Sequence, residues 1–469
     1  MFLERFPKGG DLHNHLSGAI YAEDFVDWAQ ADGICFDFQK KTAVSPPCDN
    51  TKGLVPLRSA LASGLITRDE VIDAWSLRNY VPGYSASSRH DQFFQTFGRF
   101  NAAGNGHSGD MLTEVVRHAA DQNILYLELM VSPEMEAARA LARRIGPQKD
   151  MDALYTALMT AGIELLVPKA STVLGQMRAV NDQRLGCPQS QDPACKVQVR
   201  FLAQVIRTFP PEQVFAQSLL AFLLTESDHQ VVGLNLVAPE DNQIALETYE
   251  TQMRQLDFLA KRRGSVPVTL HAGELTLGLV HPRYLRNHIR QAIEVAGARR
   301  IGHGVSISYE HNAEQLLAEM AQQNVVVEIS LTSNAQILGV EGNNHPFRTY
   351  RKYGVPLTLS TDDEGVSRGS LTHEYERAVA TYDLQYFDLV TLSRNALSYA
   401  FVAGDSLWAK PHSFSPVPVC TGQVLGSPSP DQACAAFLAG SEKASLQWQL
   451  EGQLTAFDVE PSGLGRKGP

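Results

Sequence analysis

His13, His15, His271 and Asp362 are side chains of the kind that hold a borderline divalent metal, and each stands at or near the end of a short apolar run that reads as a β-strand. Successive strand residues face opposite ways, so His13 and His15 share one face while Asn14 points away. Three imidazoles and one carboxylate from separate strands predict a site for one ion, Zn2+, with water completing the coordination. Zinc so held makes water nucleophilic near neutral pH. Glu274, His303 and Asp363 fall beside those ligands and offer proton-transfer and hydrogen-bonding groups. Taken singly, each residue has a plainer role. His-x-His occurs in polar loops, Asp362 suits a helix cap, Glu274 suits a first helical turn, and His303 reads as a structural histidine. The joint arrangement is what points to a metal-assisted hydrolase.

Positioning these groups requires several strands that end at one place. Eight strand-like runs are present, at 11–15, 124–132, 197–206, 231–237, 266–274, 300–307, 325–331 and 356–361. Helical patterns separate most of them; in 312–322, for instance, Leu316, Leu317 and Met320 share a face. Strands alternating with helices predict an α/β fold, specifically a (β/α)8 TIM-type barrel whose chemistry gathers at the C-terminal strand ends. No Gly-x-Gly-x-x-Gly turn follows the first run, which argues against a dinucleotide-binding sheet. The expected barrel domain spans 1–403, with long insertions at 33–120 and 134–196, and a Pro-, Gly- and Ser-rich extension over 404–469 wraps its outside.

The chain has 469 residues, 44% hydrophobic and 19% charged, with a formal net charge of −11. That balance disfavours nucleic-acid binding through an overall basic surface, and no apolar stretch approaches the roughly 20 residues of a membrane span. The opening residues Met1–Pro7 are too short and too charged for a secretory signal. The six cysteines fall into neighbouring pairs, Cys35 with Cys48, Cys187 with Cys195 and Cys420 with Cys434, all outside the barrel runs. This clustering predicts three local disulfides and an exported protein; six free thiols in the cytoplasm are the alternative.

Longer motifs surround the candidate residues. They are Pro-Lys-Gly-Gly-Asp-Leu-His-Asn-His-Leu-Ser-Gly-Ala from Pro7 to Ala19, His271-Ala272-Gly273-Glu274, Arg300-Ile301-Gly302-His303-Gly304 and Ser360-Thr361-Asp362-Asp363. Weaker pieces are Tyr126-Leu127-Glu128-Leu129, Val232-Gly233-Leu234-Asn235-Leu236 and Leu331-Thr332-Ser333-Asn334. In order and spacing, over residues 7–400, the set resembles the adenosine deaminase family of the amidohydrolase superfamily. The long segment before the second strand and the cysteine pairs look most like its secreted, growth-factor-related branch.

The resemblance implies zinc on His13, His15, His271 and Asp362. It implies that Glu274 protonates purine N1 while water attacks C6, and that His303 orients or deprotonates that water. Asp363 then bonds N7, Gly233 offers its N–H to N3, and His15 and Ser17 complete the substrate contacts. The implied reaction converts adenosine or deoxyadenosine to inosine or deoxyinosine plus ammonia. One alternative is a deaminase of AMP or a modified adenosine; another is an extracellular nucleoside-binding or signalling protein with little catalysis. Ser17 stands where many relatives carry a ribose-binding aspartate, and Met130 where they carry an arginine. The segment 90–100 resembles the family's covering helix, although the stripe Phe93, Phe97 and Phe100 also reads as plain core.

Overall fold

The structure, a computed structural model, describes residues 2–83 and 85–459. Met1 and the end of the expected extension, beyond 459, lie outside the described residues. All eight expected runs contain strands: β1 (Gly9–His15), β2 (Ile124–Val131), β3 (Gln198–Ile206), β4 (Val231–Val237), β5 (Thr269–Ala272), β6 (Arg300–His303), β7 (Val326–Ile329) and β8 (Leu357–Leu359). They pair in parallel as two four-stranded sheets, in orders β1-β2-β3-β4 and β8-β7-β6-β5. Most of these strands are apolar without alternation and buried along their length, as in β2 and β4, because helices cover one face and the interior fills the other.

The two sheets meet at single parallel bridges, Asn14 with Asp362 and Leu234 with Val268. No continuous ladder crosses either seam among the described residues. At the first seam the His15 N–H donates to the Asp362 carbonyl and the Asp362 N–H to that of His13, both at 2.9 Å. The last four strands are only three or four residues long, shorter than their apolar runs. The chain leaves the ladder early where it carries chemistry, and His303 and Asp362 take left-handed backbone angles, φ 67° and 61°.

The excursion after β1 contains a three-stranded antiparallel sheet, with Cys35–Asp37 between Thr42–Val44 and Leu54–Pro56. Its three-residue strands are too short to show alternation in sequence. The 134–196 insertion is largely helical, through Met135–Ile145, Met151–Thr160 and Val167–Leu185. The described part of the extension closes with two helices, Gln432–Ala439 and Glu442–Val459, the second buried through Leu446, Leu450 and Leu454. Arg394 Nη2 pairs with Glu451 Oε2 at 2.6 Å and ties that helix to Tyr386–Ser398. All three cysteine pairs are disulfides, with Cα separations of 5.4, 5.6 and 4.9 Å. No single described helix is long and apolar enough to cross a membrane.

Candidate active site

His13 and His15 close β1, His271 is the third residue of β5, and Asp362 lies just past β8. Their donor atoms converge. His271 Nε2 stands 3.1 Å from His13 Nε2 and 3.3 Å from His15 Nε2, while Asp362 Oδ1 stands 3.4 and 3.3 Å from those two nitrogens. Metal–ligand lengths of about 2.0–2.2 Å put neighbouring donors on one ion roughly 2.8–3.8 Å apart when a further position is kept for water. The four atoms therefore have the spacing of a coordination shell.

A second group fixes the far side of each ligand. His13 Nδ1 donates to Glu328 Oε2 at 2.7 Å, His15 Nδ1 to Gln204 Oε1 at 2.8 Å and His271 Nδ1 to Asn235 Oδ1 at 3.0 Å. The Asn235 oxygen also accepts the His271 backbone N–H at 3.1 Å, which fixes how its amide is turned. Ser333 donates to Asp362 Oδ2 at 2.6 Å. With each Nδ1 carrying the hydrogen, neutral His15 and His271 aim lone pairs at one another. Only a positive charge between them satisfies that arrangement.

The electrostatic environment agrees. Burial and then the His13 charge pull His271 well below the imidazole range. His13 goes the other way: burial opposes its charge, but hydrogen bonds to Asp362 and Glu328 push it up to about 10. Burial also opposes ionisation of Asp362, yet hydrogen bonds from His13 and His15 hold it well below the carboxylate range. One proton is the least charge this donor set requires, and a divalent cation fits the same point. Behind His13, buried Arg300 joins Glu328 (Nε to Oε1, 2.5 Å) and Glu128 (Nη2 to Oε2, 2.7 Å).

Glu274, His303 and Asp363 border the ligands as expected, and Glu274 Oε1, His303 Nε2 and Asp363 Oδ1 are buried polar atoms without hydrogen-bond partners. Burial, reinforced by the charges of Asp362 and Glu240, raises Glu274 well above the carboxylate range. Burial, offset in part by His15 and strengthened by Asp362, brings Asp363 up to about 8. Glu240 fixes the Glu274 turn, its two oxygens accepting the N–H groups of Gly273 (3.1 Å) and Glu274 (2.8 Å). Asp363 fits only because residue 18 is glycine: a Cβ there would stand 1.6 Å from Asp363 Oδ1.

A cavity of about 400 Å³ opens over these groups. His15, His271, Glu274, Asp362 and Asp363 form its floor, and Phe93, Phe94, Phe97, Ile206, Pro239 and Ile337 wall it, with Gln204 and Asn101 as polar points. The helix Arg89–Phe100 thus supplies the aromatic wall, though Phe100 turns away and stacks on Phe25 at 4.3 Å. Ser17 is exposed and outside the cavity lining.

The expected role of Gly233 is not supported. It lies early in β4, where a Cβ would meet the Pro267 carbonyl at 2.6 Å and the side chains of Phe401 and Leu202, away from the cavity. The backbone at the cavity end of β4 is Val237-Ala238-Pro239, and Ala238 holds φ 79°. The outer partners Gln204, Asn235, Glu240, Glu328 and Ser333 were not among the expected residues. Their signal was available, since Asn235 and Glu328 are polar residues inside apolar, fully buried strands.

Residues 102–407 match the family model described as Adenosine deaminase. That span contains His271, Glu274, His303, Asp362 and Asp363, while His13 and His15 precede it. An adenosine deaminase of Pectobacterium atrosepticum is 32% identical over 206 residues, 44% of this chain and 55% of that protein. An adenosine deaminase of Shewanella halifaxensis is 23% identical over 396 residues, 84% of this chain and 94% of that protein. The chain therefore spans about half the length of the first relative and nearly all of the second. Among solved structures, an amidohydrolase from Burkholderia ambifaria with bound Zn is similar in fold. Its TM-score is 0.51 at 18% identity, covering 97% of this chain and 94% of that one.

Proposed function

We propose that this chain, which belongs to the adenosine deaminase family, hydrolyses the 6-amino group of adenosine or deoxyadenosine to give the 6-oxo nucleoside and ammonia. One observation carries the reading. Two buried carboxyl groups, Glu274 and Asp363, line a cavity beside four converging metal donors. A 6-aminopurine has acceptor nitrogens, N1 and N7, on either side of its amine-bearing carbon. Two neutral carboxyls donate to such a pair, whereas two carboxylates would repel it.

His13, His15, His271 and Asp362 would hold one Zn2+, which makes water nucleophilic at neutral pH when bound. Glu274 gives its proton to N1, which breaks ring conjugation and makes C6 electrophilic. Asp363 holds N7 and keeps the ring from turning. His303 orients the water from the other side of Glu274, its Nε2 lying 3.7 Å from Glu274 Oε1. In balance, the oxygen of water goes to C6, one hydrogen to N1 and the other to the departing amine. Phe93, Phe94 and Phe97 cover the ring and exclude solvent.

The two bridged sheets read as one (β/α)8 barrel forming a single catalytic domain over 1–403, with the described part of the extension, 404–459, laid against it. The three disulfides support export and a place in the secreted, growth-factor-related branch. Alkylation of native-source protein should label no cysteine before reduction and all six afterwards. Six labelled thiols before reduction would return the enzyme to a reducing compartment.

A substrate panel tests the reading. No lysine or arginine lines the cavity among the described residues, so a 5′-phosphate dianion meets carboxyl groups and apolar walls. Hydrogen bonds to charged groups contribute about 1.5–3 kcal/mol each, so kcat/KM for adenosine should exceed that for AMP about a hundredfold or more. The fall of the adenosine ultraviolet band measures it. Equal rates on AMP would point to a nucleotide deaminase, and no turnover of any 6-aminopurine would sink the proposal.

The adjacent aspartates should separate cleanly. Asp362→Ala should lose bound metal by elemental analysis, having removed a ligand. Asp363→Ala should keep metal and raise KM about tenfold or more, because it removes one substrate hydrogen bond. Metal loss in both variants would contradict the division of roles.

A further inference from the structure

Whether His303 meets the water with a hydrogen or with a lone pair is decided outside the cavity. A chain of three buried groups leads away from its ring. The Phe347 backbone N–H donates to His345 Nδ1 at 3.2 Å, His345 Nε2 lies 3.0 Å from Asn334 Oδ1, and Asn334 Nδ2 lies 3.0 Å from His303 Nδ1. His303, Asn334, His345 and Phe347 are all buried.

The chain has one consistent assignment of hydrogens. A backbone N–H can only donate, so His345 Nδ1 accepts and a neutral His345 carries its hydrogen on Nε2. Burial keeps that ring neutral, pulling it down to about 4. The hydrogen on Nε2 then requires the amide of Asn334 to turn its oxygen towards His345. Its NH2 consequently faces His303, whose Nδ1 must accept. Neutral His303 then carries its hydrogen on Nε2, the bare atom facing Glu274.

We infer that Asn334 and His345 are positioning residues that lock His303 in its Nε2–H tautomer, so that it meets the attacking water as a hydrogen-bond donor. This rests on the deaminase reading above and deepens it. His303 then holds an oxygen lone pair of the water and does not remove a proton in its resting form. The water's hydrogens leave by another route, with the Glu274 carboxylate formed on protonating N1 as the adjacent acceptor. The left-handed backbone of His303 aims the ring, and the relay selects which nitrogen is protonated.

Asn334→Asp tests this with almost no change in volume. A carboxylate still accepts from His345, but it also accepts from His303 Nδ1 and so reverses the tautomer. Nitrogen NMR of the metal-loaded protein, labelled at histidine, should show His303 with a protonated Nε2 and a bare Nδ1. Asn334→Asp should exchange the two signals and lower kcat about a hundredfold, with KM and metal content nearly unchanged.

His345→Phe removes the donor that orients the amide. It should give a mixture of tautomers and about a tenfold loss of kcat. A protonated Nδ1 in the unaltered protein would overturn the inference. So would a reversed tautomer with full kcat. If Asn334→Asp does not fold, the unaltered protein and His345→Phe still decide. Failure of the deaminase reading would appear separately, as correct tautomers in a protein that turns over no 6-aminopurine.

Discussion

Glu274→Gln should lower kcat about 10³-fold or more while leaving bound metal unchanged, because it removes the proton that N1 receives in the transition state. Glutamine matches the shape and can still donate a hydrogen bond, but it cannot release the hydrogen. The turn itself should survive, since Glu240 holds the backbone N–H groups of Gly273 and Glu274 and not the side chain. The expected signature is therefore a collapse of kcat with substrate affinity largely kept. Single-turnover kinetics with elemental analysis checks it. A kcat within tenfold of the unaltered enzyme would remove Glu274 from the role of acid.

The largest stability effect is expected at Arg300, a residue outside the cavity. Its guanidinium joins two buried carboxylates, Glu128 and Glu328, and also donates to the carbonyls of Leu12 and Tyr399. Phe401 stacks beneath it, 3.8 Å from ring centroid to guanidinium carbon. Arg300→Met would strand two charges in the interior and should cost about 3–5 kcal/mol. It should also weaken metal affinity, because Glu328 would lose the partner that holds it against His13 Nδ1. Urea denaturation read beside metal titration tests both effects. An unchanged midpoint would mean that the triad contributes nothing net.

The parts of this site that were legible in sequence are those where residue type and strand end coincide. His13, His15, His271 and Asp362 could be grouped because each stands at or near the end of an apolar run, and the two bridged parallel sheets bring those ends together. Gly233 shows where that reasoning slipped. Its motif matched, but the mouth of β4 lies further along, at Val237-Ala238, and strand chemistry in this fold belongs at the C-terminal end. The outer partners escaped for another reason. Gln204, Asn235 and Glu328 sit inside apolar strand runs, where a buried polar side chain needs a partner. The small antiparallel sheet at Cys35–Asp37 left no trace because three residues cannot display a period of two. His345 could not have been found from spacing, since its role depends on a backbone N–H two residues further on.

Incubation of the metal-loaded protein with adenosine in water enriched in oxygen-18 tests the central claim most directly. The account predicts inosine carrying one heavy oxygen at C6, with one ammonia released per inosine formed. Adenosine recovered unchanged, or a product without the heavy oxygen at C6, would contradict it.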